Sequence, residues 1–267
     1  MNRRRALSAS TMSGSAEPID INNYLTIVAL QDGLTAQLST NACEYCVDGD
    51  GNWKALPAAT STEVINTGQT LSFKGILAPR PNLGIGKFTI SKSFNLEGNC
   101  MSMLFGDDAA NNFSLSVKNY AFCELFINCD VVEISNDFLP ATTLAPFCYY
   151  RMFKGCTSLT QAPLLPATTL ESNCYQAMLE GCTSLTQAPL LPAIALVSYC
   201  YNRMFYGCSN LNYIKAMFTT TPSTSYTNNW VYSVASTGKF IKNGKATWNV
   251  TGVHGVPSGW SIQSAAE

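Results

Sequence analysis

Three places in the sequence bring together residue types that could do chemistry. Cys43-x-x-Cys46 has the spacing of a zinc or redox dithiol, and Asp48-x-Asp50-x-Asn52 has the opening spacing of a calcium loop. His254 is the chain's single histidine, the side chain best suited to move a proton near neutral pH. Each lacks the rest of its constellation. Structural zinc needs a second cysteine pair, and no other C-x-x-C exists. A thioredoxin-like dithiol needs a βαβ setting, whereas Cys43 and Cys46 lie in an alternating strand pattern that turns them to opposite faces. The calcium reading fails at its sixth position, Trp53 in place of glycine, and at its twelfth, Ala59 in place of glutamate. His254 sits in a Gly/Pro turn with no Ser or Cys nucleophile motif beside it. All three therefore read as structural: strand cysteines, a hairpin turn, and a turn or cap. No catalytic residue, metal or cofactor is assigned.

The elements that hold these residues follow from the spacing of the other cysteines. Cys148, Cys174 and Cys200 form one series and Cys156, Cys182 and Cys208 a second, both stepping by 26. The segments around them align as FCYYRMFKGCTSLTQAPLLPATTL from 147, NCYQAMLEGCTSLTQAPLLPAIAL from 173, and YCYNRMFYGCSNLNYIKAM from 199. A weaker copy, with a one-residue insertion, holds Leu125–Cys129 and Phe138–Leu144, and a still weaker one starts at Cys100–Phe105. A period of 20–29 with Leu-x-x-Ala-x-Leu is that of leucine-rich repeats. Cys148, Tyr149, Met152 and Phe153 fall at i, i+1, i+4 and i+5, one face of two helical turns, and Gly155 ends the helix. Leu159, Ala162 and Leu164 take the inward positions of a short strand that Pro163 keeps irregular. Equivalent positions of stacked repeats point the same way, so the repeated cysteines are expected to be buried free thiols acting as small hydrophobes.

The expected fold class is α+β: a small N-terminal β-sandwich, then a short leucine-rich-repeat solenoid of 26-residue period, then a C-terminal cap. The boundaries are an arm at 1–23, the sandwich at 24–98, repeats at 99–215 and the capping module at 216–267. Short alternating runs between Tyr24 and Gly98, punctuated by Asp32-Gly33 and the Asp48–Asn52 cluster, motivate the sandwich.

Charge narrows the partners. A net charge of −1 with only 12% charged residues leaves no basic surface to release counterions from nucleic acid. Arg3, Arg4 and Arg5 are the one basic cluster, read as a terminal arm that docks on a larger assembly. The run after them, Ala6 to Ser15, is too polar for a secretory signal, and no stretch approaches the roughly 20 apolar residues of a membrane helix, so no membrane insertion is expected. Binding residues are sought where the copies differ. These are Tyr150/Gln176/Asn202 and Lys154/Glu180/Tyr206 on one side, and a strand-side row of Thr160, Gln161, Thr186, Gln187, Asn212 and Tyr213. That row suits a neutral polar partner such as a glycan or protein; a merely solvated face accounts for it equally.

The pattern Met-Phe-x-Gly-Cys-Thr-Ser-Leu-Thr-x-Ala-Pro-x-Leu-Pro-Ala at 152–167, repeated at 178–193 with Leu179 in place of the Phe, resembles the BspA-like leucine-rich repeats of gut Bacteroidetes and of the crAss-like phages that infect them. Residues 45–57, YCVDGDGNWKALP, and Gly252-Val-His-Gly-Val-Pro-Ser-Gly-Trp260 extend the resemblance over about 24–262. It implies surface display and host or glycan contact, and supplies no catalytic residues. The expected function is a non-enzymatic virion component, a head fibre, capsid decoration or tail-associated adhesin. Its partners would be other virion proteins through the arm, a host-surface glycan or protein, and further copies of itself. The alternative is a bacterial cell-surface adhesin.

Overall fold

The computed structural model describes residues 19–265, and the arm residues Arg3, Arg4 and Arg5 lie outside them. The N-terminal part is β1 (Leu25–Ala29), β2 (Ala36–Leu38), β3 (Cys43–Val47), β4 (Lys54–Leu56), β5 (Thr70–Lys74), β6 (Phe88–Ile90) and β7 (Phe94–Gly98). After the short helix α1 (Ser102–Phe105) comes β8 (Val131–Ile134). These strands make one six-stranded sheet, ordered β4-β3-β5-β1-β7-β8, and a two-stranded β2-β6 ribbon. Alternation shows on β7, where Phe94 and Leu96 are buried while Asn95 and Glu97 look outward; on β1 Leu25, Ile27 and Ala29 are buried, and so is Thr26 between them. All pairings in the six-stranded sheet are antiparallel except β7 with β8. The C-terminal strands β9 (Tyr213–Ala216), β10 (Lys239–Lys242) and β11 (Ser261–Ser264) form a parallel sheet. The remaining helix, α2, is Thr224–Thr227.

The expected architecture of a β-sandwich followed by a helix-bearing leucine-rich-repeat solenoid is therefore overturned. The fold is β-rich, with small strands in mixed sheets; among the described residues only α1 and α2 are α-helical, each four residues long. Where helices were expected at Cys148–Lys154 and its copies, the backbone makes consecutive tight turns. The reason is a left-handed residue at every fourth position: Phe147 (φ 59°), Arg151 (φ 53°) and Gly155 (φ 75°), then Asn173, Ala177 and Gly181, then Tyr199, Arg203 and Gly207. An α-helix needs φ near −63° throughout, so it cannot survive such interruptions.

Hydrogen bonding follows the same alternation. Cys148, Tyr150, Met152 and Lys154 donate their N–H groups locally, three residues back. The residues between them donate across to the next copy: Tyr149 N–H to Cys174 O (3.0 Å), Arg151 to Gln176 O (3.0 Å), Phe153 to Met178 O (3.0 Å) and Gly155 to Glu180 O (2.7 Å). The pattern recurs from 173–181 onto 198–206, from 199–207 onto 225–232, and from 120–128 onto 146–154. A rung of this kind leaves half its donors unpaired on its own, so neighbours must stack to satisfy them.

Side chains stack in the same register. Phe122, Tyr149, Tyr175, Tyr201 and Trp230 form a ring column with centroids 5.7–6.3 Å apart. All eleven cysteines are free and buried. The thiols of Cys156, Cys182 and Cys208 donate to the carbonyls of Phe126, Phe153 and Leu179 at 3.2, 3.3 and 3.0 Å. Burial pushes the Cys148 and Cys208 thiols up to about 12.

One inward assignment fails on the strand side. Leu164 is 48% exposed and Leu190 42%, whereas Leu165 and Leu191, the next residues, are buried at 4% and 0%. The backbone here alternates, with Pro163, Leu165 and Ala167 buried and Leu164 and Pro166 exposed, so the second leucine of the pair is the inward one.

Candidate functional site

The strand-side row occupies one outward face. Gln161 bridges in parallel to Glu133 of β8, and Gln187 bridges to Tyr213 at the start of β9. Tyr213 in turn pairs with Lys239 of β10. The outward residues therefore run Glu133, Gln161, Gln187, Tyr213, Lys239 along the stack. Two depressions follow this line. One, of about 350 Å³, is lined by Thr160, Gln161, Thr186, Gln187, Leu164 and Leu190, among others. The second, of about 220 Å³, continues it through Asn136 and Gln161 to Asn95, Glu97, Glu133 and Ser135.

The members of the row differ in how free they are. Thr160 is spent on the scaffold: its hydroxyl donates to Val132 O at 3.0 Å. Gln161 donates to Asn136 Oδ1 at 3.4 Å, a long and weak contact. The side chains of Thr186, Gln187, Asn212 and Tyr213 make no hydrogen bond among the described residues. Asn212 and Tyr213 continue the face beyond the larger depression rather than lining it. The groove thus offers unspent amides and hydroxyls beside the exposed Leu164 and Leu190. Sequence reasoning missed Asn95, Glu97, Glu133 and Asn136, which come from outside the well-formed copies and join the face only through strand pairing.

The opposite, turn-side face spends its charges internally. Glu180 accepts from Arg203 at 2.8 and 3.0 Å and pairs with Lys154 at 3.0 Å, joining three successive rungs. Burial raises the Glu180 carboxyl, but the Arg203 and Lys154 contacts outweigh it and hold the group below its ordinary value. Glu124 is held low in the same way by Lys87 and Arg151. Tyr206 stacks on Tyr232 at 4.9 Å with the Arg203 guanidinium 4.0 Å above the Tyr206 ring. These residues staple rungs together.

The three chemical candidates resolve into structural contacts. Cys43 and Cys46 are both buried on β3, and burial pushes the Cys43 thiol up to about 12. Asp48 accepts from Thr70 N–H at 2.9 Å and Gln69 Nε2 at 2.8 Å, and Asp50 accepts from Asn52 N–H at 2.9 Å, which closes the turn. His254 Nδ1 accepts the Asn229 N–H at 3.0 Å. It stands where the next rung's carbonyl would be, since the equivalent Arg203 N–H reaches Asn228 O. Among the described residues no group of three His, Cys, Asp or Glu side chains is placed to hold a metal, and no helix is long and apolar enough to cross a membrane.

Comparison of the chain with protein-family models, with curated proteins and with solved structures gives no match.

Proposed function

We propose that this chain is a non-enzymatic recognition and structural protein that touches a macromolecular partner, glycan or protein, through its strand-side groove. The observation that carries this reading is the asymmetry of commitment between the two faces. The turn-side charges of Glu124, Arg151, Lys154, Glu180 and Arg203 are consumed by staples between rungs, while Thr186 and Gln187 remain unspent in an open groove whose face Asn212 and Tyr213 continue. Neutral amides and hydroxyls recognise polar uncharged groups by hydrogen bonding without the desolvation cost of a buried charge. The non-enzymatic part is supported by the state of the reactive groups. The thiols are buried and pushed away from thiolate, and the one imidazole accepts a backbone hydrogen bond.

The resemblance of the repeats to BspA-like proteins supplies the setting. We place the protein in a bacteriophage particle, as a head fibre, capsid decoration or tail-associated adhesin that contacts the host surface or mucosa. Binding to mucin and to an array of host-surface glycans and proteins tests the groove. Gln161→Ala combined with Gln187→Ala is expected to weaken a bound partner by about tenfold or more, as two lost hydrogen bonds imply. Unchanged binding by this variant would remove the groove from the reading. Mass spectrometry of purified virions tests the setting, and absence of the protein from the particles would refute it.

A further inference from the structure

The outward face carries a charge order that its neutral centre conceals. At one end stand Glu97 and Glu133, on β7 and β8; at the other stand Lys215 and Lys239, on β9 and β10. All four are exposed or half-buried, and none has an ion-pair partner among the described residues. This contrasts with Glu124, Arg151, Lys154, Glu180 and Arg203 on the turn side, every one of which is paired. Between the charged ends lie Gln161 and Gln187, with Leu164 and Leu190 exposed beside them. At a strand spacing near 4.8 Å, the four steps from Glu133 to Lys239 span about 20 Å.

From β7 to β10 the order Glu97, Glu133, Gln161, Gln187, Lys215, Lys239, two acids, two amides and two amines, reads as its own complement when reversed. A copy turned by a two-fold axis passing between the Gln161 and Gln187 rungs would set its basic end over the acidic end of the first, and its acidic end over the basic end. Leu164 of each copy would meet Leu190 of the other at the centre, and Gln161 would face Gln187. A two-fold contact requires this property, because the same patch must serve on both sides. It also gives an apolar centre with a charged rim, the usual anatomy of a protein–protein contact. A saccharide would use the face differently: the groove lining contains no aromatic ring to stack on a sugar, and an uncharged glycan leaves all four end charges without a partner.

We propose that the strand-side face is a self-complementary interface on which a second copy of this chain docks antiparallel, the Glu97/Glu133 end of each against the Lys215/Lys239 end of the other. This rests on reading that face as the contact surface of the protein, and it names the partner. The interface closes on itself, so assembly stops at the dimer.

Sedimentation velocity of the full chain, across concentration and salt, tests the proposal with charge-swap variants. The wild type is expected to sediment as a dimer that weakens as salt screens the end charges. Glu97→Lys with Glu133→Lys makes both ends basic; Lys215→Glu with Lys239→Glu makes both acidic. Each double variant alone is expected to raise the dimer dissociation constant by about a hundredfold, since several attractive rim pairs become repulsive. Mixed in equal amounts, the two should recover a dimer, and so should the quadruple variant, whose polarity is merely reversed. Circular dichroism of each variant checks that these unpaired positions leave the fold intact. A monomeric wild type at about 100 μM would overturn the proposal, as would a dimer indifferent to the swaps or variants that fail to restore each other when mixed. A monomer that binds a glycan or another protein, and loses it on Gln161→Ala with Gln187→Ala, would overturn self-association alone. In that case the groove would stand as a recognition site.

Discussion

Replacing Ala177 by glycine separates the turn ladder from a helix, because the two conformations assign the change different energies. Ala177 is held at φ 53°, is buried, and donates its N–H to Asn202 O at 2.8 Å in the next rung. Holding an alanine in the left-handed region costs about 1–2 kcal/mol, which glycine would relieve. Against this, losing a buried methyl costs about 0.8 kcal/mol, and glycine's greater freedom in the unfolded chain costs about 0.5–1 kcal/mol. The opposing effects nearly cancel, so Ala177→Gly should lie within about 0.5 kcal/mol of the parent. In a helix nothing would be relieved, and the loss would be about 2 kcal/mol. Ala193→Gly is the control, since Ala193 is equally buried but has no left-handed backbone to relax. It should cost about 1.5 kcal/mol. Urea unfolding of both variants, compared at equal m-value, provides the measurement. A loss at Ala177 as large as that at Ala193 would refute the turn assignment.

Other consequences of the packing are open to simpler measurements. Cys182→Arg should cost several kcal/mol by burying an unpaired charge, while Gln187→Arg on the exposed face should be nearly neutral; equal melting temperatures would contradict the inward placement of the thiols. Ellman's reagent should find almost no reactive thiol in the native protein and eleven after unfolding, and a rapidly reacting native cysteine would refute the uniform burial. Glu124 and Glu180 have folded-state carboxyls held below the ordinary 4.5, so their stabilisation is complete above that value and is lost as pH falls through the folded value. The melting temperature should therefore drop below about pH 4.5, and the drop should be shallower in Glu180→Gln; identical acid profiles would show that the staples are idle. His254→Ala should lower stability by about 1 kcal/mol by orphaning the Asn229 N–H, whereas an unchanged melting temperature would show that the last rung needs no cap.

The sequence was legible where the period alone decides and illegible where two conformations share a period. Cys148, Tyr149, Met152 and Phe153 point inward in a helix and in a turn ladder alike. A helix advances about 100° per residue, so a four-residue step drifts by only about 40°, too little to notice over two turns. Following the step to Cys156 would double the drift to about 80°, yet Cys148, Met152 and Cys156 are all fully buried. A strict period of four was therefore the signal for turns. Gly155 could not break the tie, since a left-handed glycine ends a helix as readily as it closes a rung. Leu164 was misplaced because a Leu-Leu pair carries no parity of its own. The candidate face was half visible: Gln161, Gln187 and Tyr213 could be found by comparing copies. Glu97, Glu133 and Lys239 could not, since only strand pairing brings them into line.

The same geometry accounts for the division between the two faces. Each rung sends alternate N–H groups to its neighbour, so it is held mainly by backbone and by inward stacking, and its outward side chains are not required for closure. On the turn side, Lys154 and Arg203 from the rungs on either side both come within 3.0 Å of Glu180 and are spent on it. On the strand side, Thr160, Gln161, Thr186 and Gln187 interpose uncharged residues between the ends, so Glu133 and Lys239 stay about 20 Å apart. A salt bridge across that distance within one molecule is impossible, and screening at physiological salt, about 8 Å, leaves the ends electrically independent. Charges kept apart in this way add nothing to the stability of the chain that carries them. Their energetic worth would be realised only against another surface of the opposite order, which is the contact proposed for this face.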